Sequence, residues 1–290
     1  MVIRIVQYLQ PWEIDDFHRQ VEIMIQSKYY IQNKDIKIIW DVTLNTNCVD
    51  WTESSLPLEY FINKFKFLEN LVSIYFTAEF DCDNTINGSA DKRRNCVNKE
   101  QDHTIWLDSD LFFSKYTLSS ILDERVHSII SEKEFIITPN IIKYWDDSWD
   151  IIVHPDFINE SFDHRSYFDL YSIDKFFEDK NKIVELVKIN KIKFGGGWFT
   201  LLSDPLLKRI GVPIEIGEYG PDDTYIIICS LYLNIPQYIL RNIIVSELGG
   251  KYLQHRDYIK NCLKINHTSI RPNIDIIELA KNNMKDQNKR

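Results

Sequence analysis

The chain has 290 residues, 44% of them hydrophobic and 13% aromatic, and a formal charge of -9 at pH 7. That is enough apolar material for a sizeable core, and only nine glycines and nine prolines exclude collagen-like or low-complexity structure. The acidic balance, with a pI near 5.3, excludes an overall basic footprint for nucleic acid.

No apolar run approaches the roughly 18 residues of a membrane-spanning helix, so no span is expected. Met1 to Tyr8 is too short and too polar for a signal peptide. The five cysteines, Cys48, Cys82, Cys96, Cys229 and Cys262, include no C-x-x-C pair. That pattern predicts free thiols and a cytoplasmic protein.

Val2 to Leu9 reads as a short apolar strand. Ile14, Phe17, Val21, Met24 and Ile25 follow near helical spacing and predict a helix over 13–30. Residues 36–42 read as a second strand. Leu56, Tyr60, Phe61, Phe65 and Leu68 predict a helix over 56–68, and Val72 to Phe76 a third strand. A polar loop over 81–88 leads to a helix over 89–98 and a fourth strand over 104–107. A helix over 116–131 and a strand over 135–138 come next.

Such alternation implies right-handed crossovers and a mainly parallel sheet flanked by helices. Ligands in such sheets bind beyond the carboxyl ends of the strands. Asp41 and the Asp108/Asp110 pair are both expected at such ends.

Beyond residue 140 the pattern loosens. Residues 145–165 read as loop or lid and 174–189 as a charged amphipathic helix. Phe194-Gly195-Gly196-Gly197-Trp198 is a glycine-rich entry into an apolar stretch, and 222–233 is a helix opened by Gly220-Pro221-Asp222-Asp223. The last dozen residues are expected to fray.

Trp106-Leu107-Asp108-Ser109-Asp110 delivers two carboxylates to a strand end. Side chains alternate along a strand, so both point one way if the strand persists. Two hard oxygen ligands suit a divalent ion that keeps positions open for phosphate oxygens. Asp81-Cys82-Asp83 is a rival triplet, in a turn-rich loop with no basic cluster before it.

Lys92-Arg93-Arg94 opens a helix and can grip phosphate through charge and helix amides; it also fits a solvated helix face. Three glycines let backbone approach a ligand closely, and Trp198 can stack on a sugar or base. Of Asp222 and Asp223, one can cap the helix while the other acts as a general base. His267 is a candidate metal ligand returning from the C-terminal region, as is His255.

In this order, these pieces resemble the nucleotide-sugar-dependent glycosyltransferases of the GT-A fold, close to the inverting family 2-like group. The matching pieces are the N-terminal strand–helix repeats, Lys92-Arg93-Arg94-Asn95, Trp106 to Asp110, Gly195 to Trp198, and Gly220 to Asp223. The resemblance implies a GT-A-like (Rossmann-like) catalytic domain over 1–240, with 1–140 binding the nucleotide and 141–240 the acceptor. Residues 241–290 are left as a C-terminal extension.

It implies a hexosyl- or pentosyltransferase with a UDP- or GDP-sugar donor and a glycan, protein or modified-base acceptor. Asp110 would bind Mn²⁺ or Mg²⁺ directly, assisted by Asp108 and His267. Asp41, Arg93 and Gln10 would contact the donor. Gly196, Gly197 and Trp198 would wall the sugar and acceptor. Asp223 would be the base, with Asp222 as the other member of the acidic pair.

This chain carries Asp-Asp where the family more often has Glu-Asp. A nucleotidyltransferase would need a glycine-rich loop after the first strand, and Gln7 to Trp12 has none. A binding protein of the same fold and an enzyme acting on modified bases of viral DNA are the other readings, the latter opposed by the charge of -9.

Overall fold

The computed structural model describes residues 1–46, 56–82, 85–86, 88–142, 186–189, 197, 199–218, 220–247 and 275–285. Gly196, Trp198, His255, His267, Asp83, Cys48 and Cys262 lie outside them, as does the 145–165 segment.

The molecule is an α/β protein built on one mixed sheet. Its strands are β1 (Val2–Leu9), β2 (Lys37–Leu44), β3 (Thr77–Asp81), β4 (His103–Trp106), β5 (Leu111–Phe113), β6 (Ile136–Ile142), β7 (Leu186–Ile189), β8 (Thr200–Ser203) and β9 (Gln237–Glu247). They lie in the order β3-β2-β1-β4-β8-β6-β9-β5, with β7 also on β9. The block β3-β2-β1-β4 is parallel. Beyond it β8 runs antiparallel to β4, so Thr200 at its start lies opposite Trp106 at the end of β4.

Successive side chains leave a strand on opposite faces, and both faces here are covered. Ile5, Trp40, Ile105, Leu201 and Ile137 pack on one side under α1 (Ile14–Lys28) and α2 (Leu58–Ser73). Val6, Trp106, Leu202 and Ile136 pack on the other. There the cover comes from α3 (Ser89–Cys96), α6 (Asp204–Ile210), α7 (Asp222–Tyr232) and α8 (Ile276–Lys285).

Helix α1 buries Phe17, Val21 and Met24, and α2 buries Phe61, Phe65, Leu68 and Val72. These are the one-sided stripes that dock a helix on a sheet. Phe17 meets Trp40 edge-on at 5.5 Å, and Phe65 stacks on Phe80 at 5.0 Å.

Several sequence expectations change. The run from Val72 is not a strand: the stripe of α2 continues through Val72, and β3 begins at Thr77. The helix expected over 116–131 is two short helices, α4 (Thr117–Ile121) and α5 (Glu124–Ile129). The Asp123 side chain accepts from Arg125 N–H at 2.8 Å and starts a new helix there.

Leu186 to Ile189, expected to be helical, pair with β9. The boundary expected at residue 240 falls inside β9. The last dozen residues do not fray through Lys285, because α8 buries Ile276, Ala280 and Met284 against α7. Asn283 also donates to Tyr225 Oη at 2.9 Å. Among the described residues, no helix is long and apolar enough to cross a membrane, and Cys82, Cys96 and Cys229 carry free thiols.

Candidate active site

Strand β4 ends at Trp106, and Asp108 to Asp110 form a turn before β5. The pair therefore sits beyond a parallel strand's carboxyl end, but on a turn and not on extended backbone. Because β8 is antiparallel to β4, the chain entering β8 arrives at the same edge. Phe199 N–H donates to Trp106 O at 2.9 Å. Phe199 is fully buried with a φ of 73°. A non-glycine residue there is strained, and it is held by packing edge-on to Phe113 at 4.9 Å.

Arg93 is the centre of the site. Its Nη1 donates to Asp222 Oδ2 at 2.8 Å and its Nη2 to Asp108 Oδ1 at 2.7 Å. The guanidinium lies 4.7 Å from the Trp106 ring centroid. The forked, planar guanidinium suits this double pairing and the stacking on indole. It joins the strand-end turn to the start of α7.

Asp222 is 1% exposed. Burial pushes its carboxyl up to about 6; Arg93 pulls it down, and Asp223 adds to the rise. The recessed Asp108 is likewise pushed up to about 6, with Arg93 opposing and Asp110 and Asp223 adding. One guanidinium is shared among neighbouring carboxylates that outnumber it.

Asp222 is not the helix cap. Pro221 occupies that position, and Asp222 is the first helical residue. Asp223 is partly exposed, and its Oδ2 accepts from Gly197 N–H at 3.0 Å. Its Oδ1 accepts from Thr224 N–H. The two acids thus divide: one is buried on Arg93, the other is oriented by two backbone amides and open on one side.

Arg94 steadies the approach to them by donating to the carbonyls of Val212, Pro213 and Gly217 at 2.9, 3.0 and 2.7 Å. At Gly220 a Cβ would come within 2.5 Å of Ile216 O, so only glycine fits that close crossing.

Gly197 is equally constrained. A Cβ there would lie 2.3 Å from Arg93 Nη2 and within 2.9 Å of both Asp108 carboxylate oxygens. The guanidinium cannot swing aside without breaking its ion pairs with Asp108 and the buried Asp222. Gly197→Ala is expected to cost about 1–3 kcal/mol by overpacking. Urea unfolding checks it; an unaltered midpoint would mean that Gly197 does not press on Arg93.

The other expected site residues lie elsewhere. Asp41 is not at a strand end: β2 continues to Leu44, and Asp41 is fully buried in mid-strand. It accepts from Arg4 Nη1 at 2.8 Å, from Lys99 Nζ at 2.7 Å and from Lys92 Nζ. Burial would raise its carboxyl, but Lys92 and Lys99 hold it down at about 2. Gln10 is buried at the end of β1, where Asn45 Nδ2 donates to its Oε1 at 2.8 Å. Asp81, from the rival triplet, accepts from Thr43 Oγ1 at 2.6 Å.

The basic cluster is neither a solvated face nor a free grip for phosphate. Lys92 serves the Asp41 cluster, Arg93 the acids and Arg94 the loop. None of the three is left to face a duplex.

Among the described residues, no group of three or more His, Cys, Asp or Glu is arranged to hold a metal ion. Asp108 and Asp110 nevertheless offer carboxylate oxygens of the kind that Mn²⁺ and Mg²⁺ prefer. Two such carboxylates suit part of the ligand set of a divalent ion.

No protein-family model matches the chain, and no curated protein does. Among solved structures it is similar to residues 1–349 of TarS from S. aureus, with a TM-score of 0.48 and 11% identity, covering 99% of this chain and 72% of that one. The same fragment in complex with UDP-GlcNAc gives a TM-score of 0.48 and 12% identity over 99% and 73%. A mycobacterial protein gives 0.47 and 9% over 87% and 69%. None of these reaches a TM-score of 0.5, so what the site does is derived from its side chains.

Proposed function

We propose that this protein is a nucleotide-sugar-dependent glycosyltransferase of the GT-A type, transferring a hexosyl or pentosyl group with inversion. One observation carries the reading: Arg93 ties the strand-end turn of Asp108 and Asp110 to the helix start of Asp222 and Asp223. The two acidic groups thereby lie side by side at the carboxyl edge of the parallel strands, where open α/β sheets bind ligands, which supports a diphosphate at one and a general base at the other.

The nucleoside diphosphate of a UDP- or GDP-sugar lies against the Asp108–Asp110 turn. Asp110 and Asp108 would hold Mn²⁺ or Mg²⁺, with His267 as a further ligand from outside the described residues. When bound, the ion neutralises charge on the departing diphosphate.

Asp223 takes the proton of an acceptor hydroxyl. The hydroxyl oxygen bonds to the anomeric carbon as the bond from that carbon to the phosphate oxygen breaks. The electron pair leaves with the nucleoside diphosphate, and the configuration inverts. Gly197, with Gly196 and Trp198, walls the sugar. Asp222 stays buried and fixes Arg93.

A screen of UDP- and GDP-sugars for hydrolysis without acceptor tests the reading. The expected result is turnover of one donor with Mn²⁺, lost in EDTA and lost on Asp110→Ala. Tight binding of a donor with no turnover under any condition would favour a non-catalytic nucleotide-binding protein instead.

A further inference from the structure

A chain of buried amides runs from the core to the acidic turn. Trp40 Nε1 donates to Gln7 Oε1 at 3.1 Å, and Gln7 Nε2 donates to Gln20 Oε1 at 2.7 Å. Gln20 Nε2 donates to the carbonyls of Asp108, Ser109 and Leu111, each at 3.0 Å. Gln7 and Gln20 are each 1% exposed, and Trp40 is fully buried.

The direction of this chain is fixed at both ends. An indole N–H only donates, and a backbone carbonyl only accepts. Neither amide can flip without placing donor against donor or acceptor against acceptor. Hydrogen bonds aligned in this sense polarise one another in a low-dielectric core.

Gln20 lies on the buried face of α1 with Phe17, Val21 and Met24, where an apolar residue would fill the space at no desolvation cost. Its two N–H hydrogens instead go to the one turn that carries both acids. Asp108 is thus gripped twice, by Gln20 at its carbonyl and by Arg93 at its carboxylate.

We infer that Gln20, oriented by Gln7 and Trp40, is a positioning residue that holds the Asp108–Asp110 turn in the geometry that binds the donor diphosphate. The inference rests on the donor-site reading above and assigns a device to it. Gln20 touches neither donor nor acceptor and acts through the backbone of the turn.

Gln20→Glu tests it. Glutamate is nearly isosteric and still accepts from Gln7, but its carboxyl offers the turn one hydrogen when protonated and none when ionised, against the two of the amide. Gln7→Glu breaks the next link and serves if the first variant does not fold. Val72→Ala, in the same core on α2, controls for general loss of stability.

Amide hydrogen exchange across residues 109–112 is expected to speed up by about tenfold or more in Gln20→Glu, by less in Gln7→Glu, and not in Val72→Ala. Affinity for UDP or GDP with Mn²⁺ is expected to fall by about tenfold, in keeping with the loss of one or two hydrogen bonds. It should be unaltered in Val72→Ala at a temperature where all variants are folded.

A turn that exchanges no faster in either glutamate variant overturns the inference, whether or not a nucleotide binds. A wild-type protein that binds neither UDP nor GDP removes the donor reading, while the exchange rates still decide whether Gln20 anchors the turn.

Discussion

Arg93→Met is expected to destabilise the protein by about 3–5 kcal/mol near pH 7.5, and by much less near pH 5. Methionine roughly fills the space of the side-chain stem, so the loss is mainly electrostatic. It strands Asp222, which is buried, and removes the counter-charge from Asp108.

The pH dependence follows from the direction of the shift. The Asp222 carboxyl titrates at about 6 in the folded protein against 3.8 when unperturbed. The native state therefore binds the proton more tightly, and stability falls as pH rises from about 4 through 6. Without Arg93 the folded value climbs further, and the penalty grows with pH until the carboxyl ionises. Urea unfolding of wild type and variant near pH 5 and pH 7.5 measures it. A loss of the same size at both pH values would mean that Arg93 contributes packing rather than charge compensation.

The second large effect concerns chemistry. Asp223→Asn is expected to lower the transfer rate by roughly 10²–10⁴, the range for a lost general base, with donor affinity retained. Asparagine can accept at only one atom, so one of the bonds from Gly197 and Thr224 is lost. That costs about 1 kcal/mol of stability, too little to unfold the protein.

Asp222→Asn separates the roles. It removes a charge from Arg93 rather than a helix cap, so it is expected to flatten the dependence of stability on pH between about 4 and 6 and to leave a measurable transfer rate. If Asp223→Asn transfers at the wild-type rate while Asp222→Asn is inactive, the two acids exchange roles.

Much of this site could be read along the chain because its parts sit where local patterns change. The apolar run Thr104 to Leu107 ends at Asp108, and the turn Gly220-Pro221 precedes Asp222 and Asp223. Strand ends and helix starts are local events, and the sequence marks them.

The roles of the basic residues could not be read that way. Lys92, Arg93 and Arg94 look alike in sequence, yet their partners lie far along the chain, in the case of Arg93 and Asp222 at a separation of 129 residues. Asp41 reads as a strand-end ligand if β2 stops at Val42; β2 runs on to Leu44, and Asp41 is buried within it against Arg4, Lys92 and Lys99.

Gln7 and Gln20 were missed altogether, although each left a signal. Gln7 joins Arg4 in interrupting a largely apolar strand, and Gln20 falls on the buried stripe of α1. A polar side chain on a buried face is more informative than an exposed apolar one. The run Val72 to Phe76 misled because a short apolar stretch fits a strand and a helix end equally well.

On the proposed reading, the Asp108–Asp110 turn binds a nucleoside diphosphate together with a divalent ion. Calorimetric titration of UDP, and separately GDP, into wild type and Asp110→Ala, with Mn²⁺ and with EDTA, tests it most directly. One nucleotide is expected to bind wild type with Mn²⁺, and that binding to be lost in EDTA or in the variant. Equal affinity in EDTA, undiminished affinity in Asp110→Ala, or no binding of either nucleotide with Mn²⁺ would contradict it.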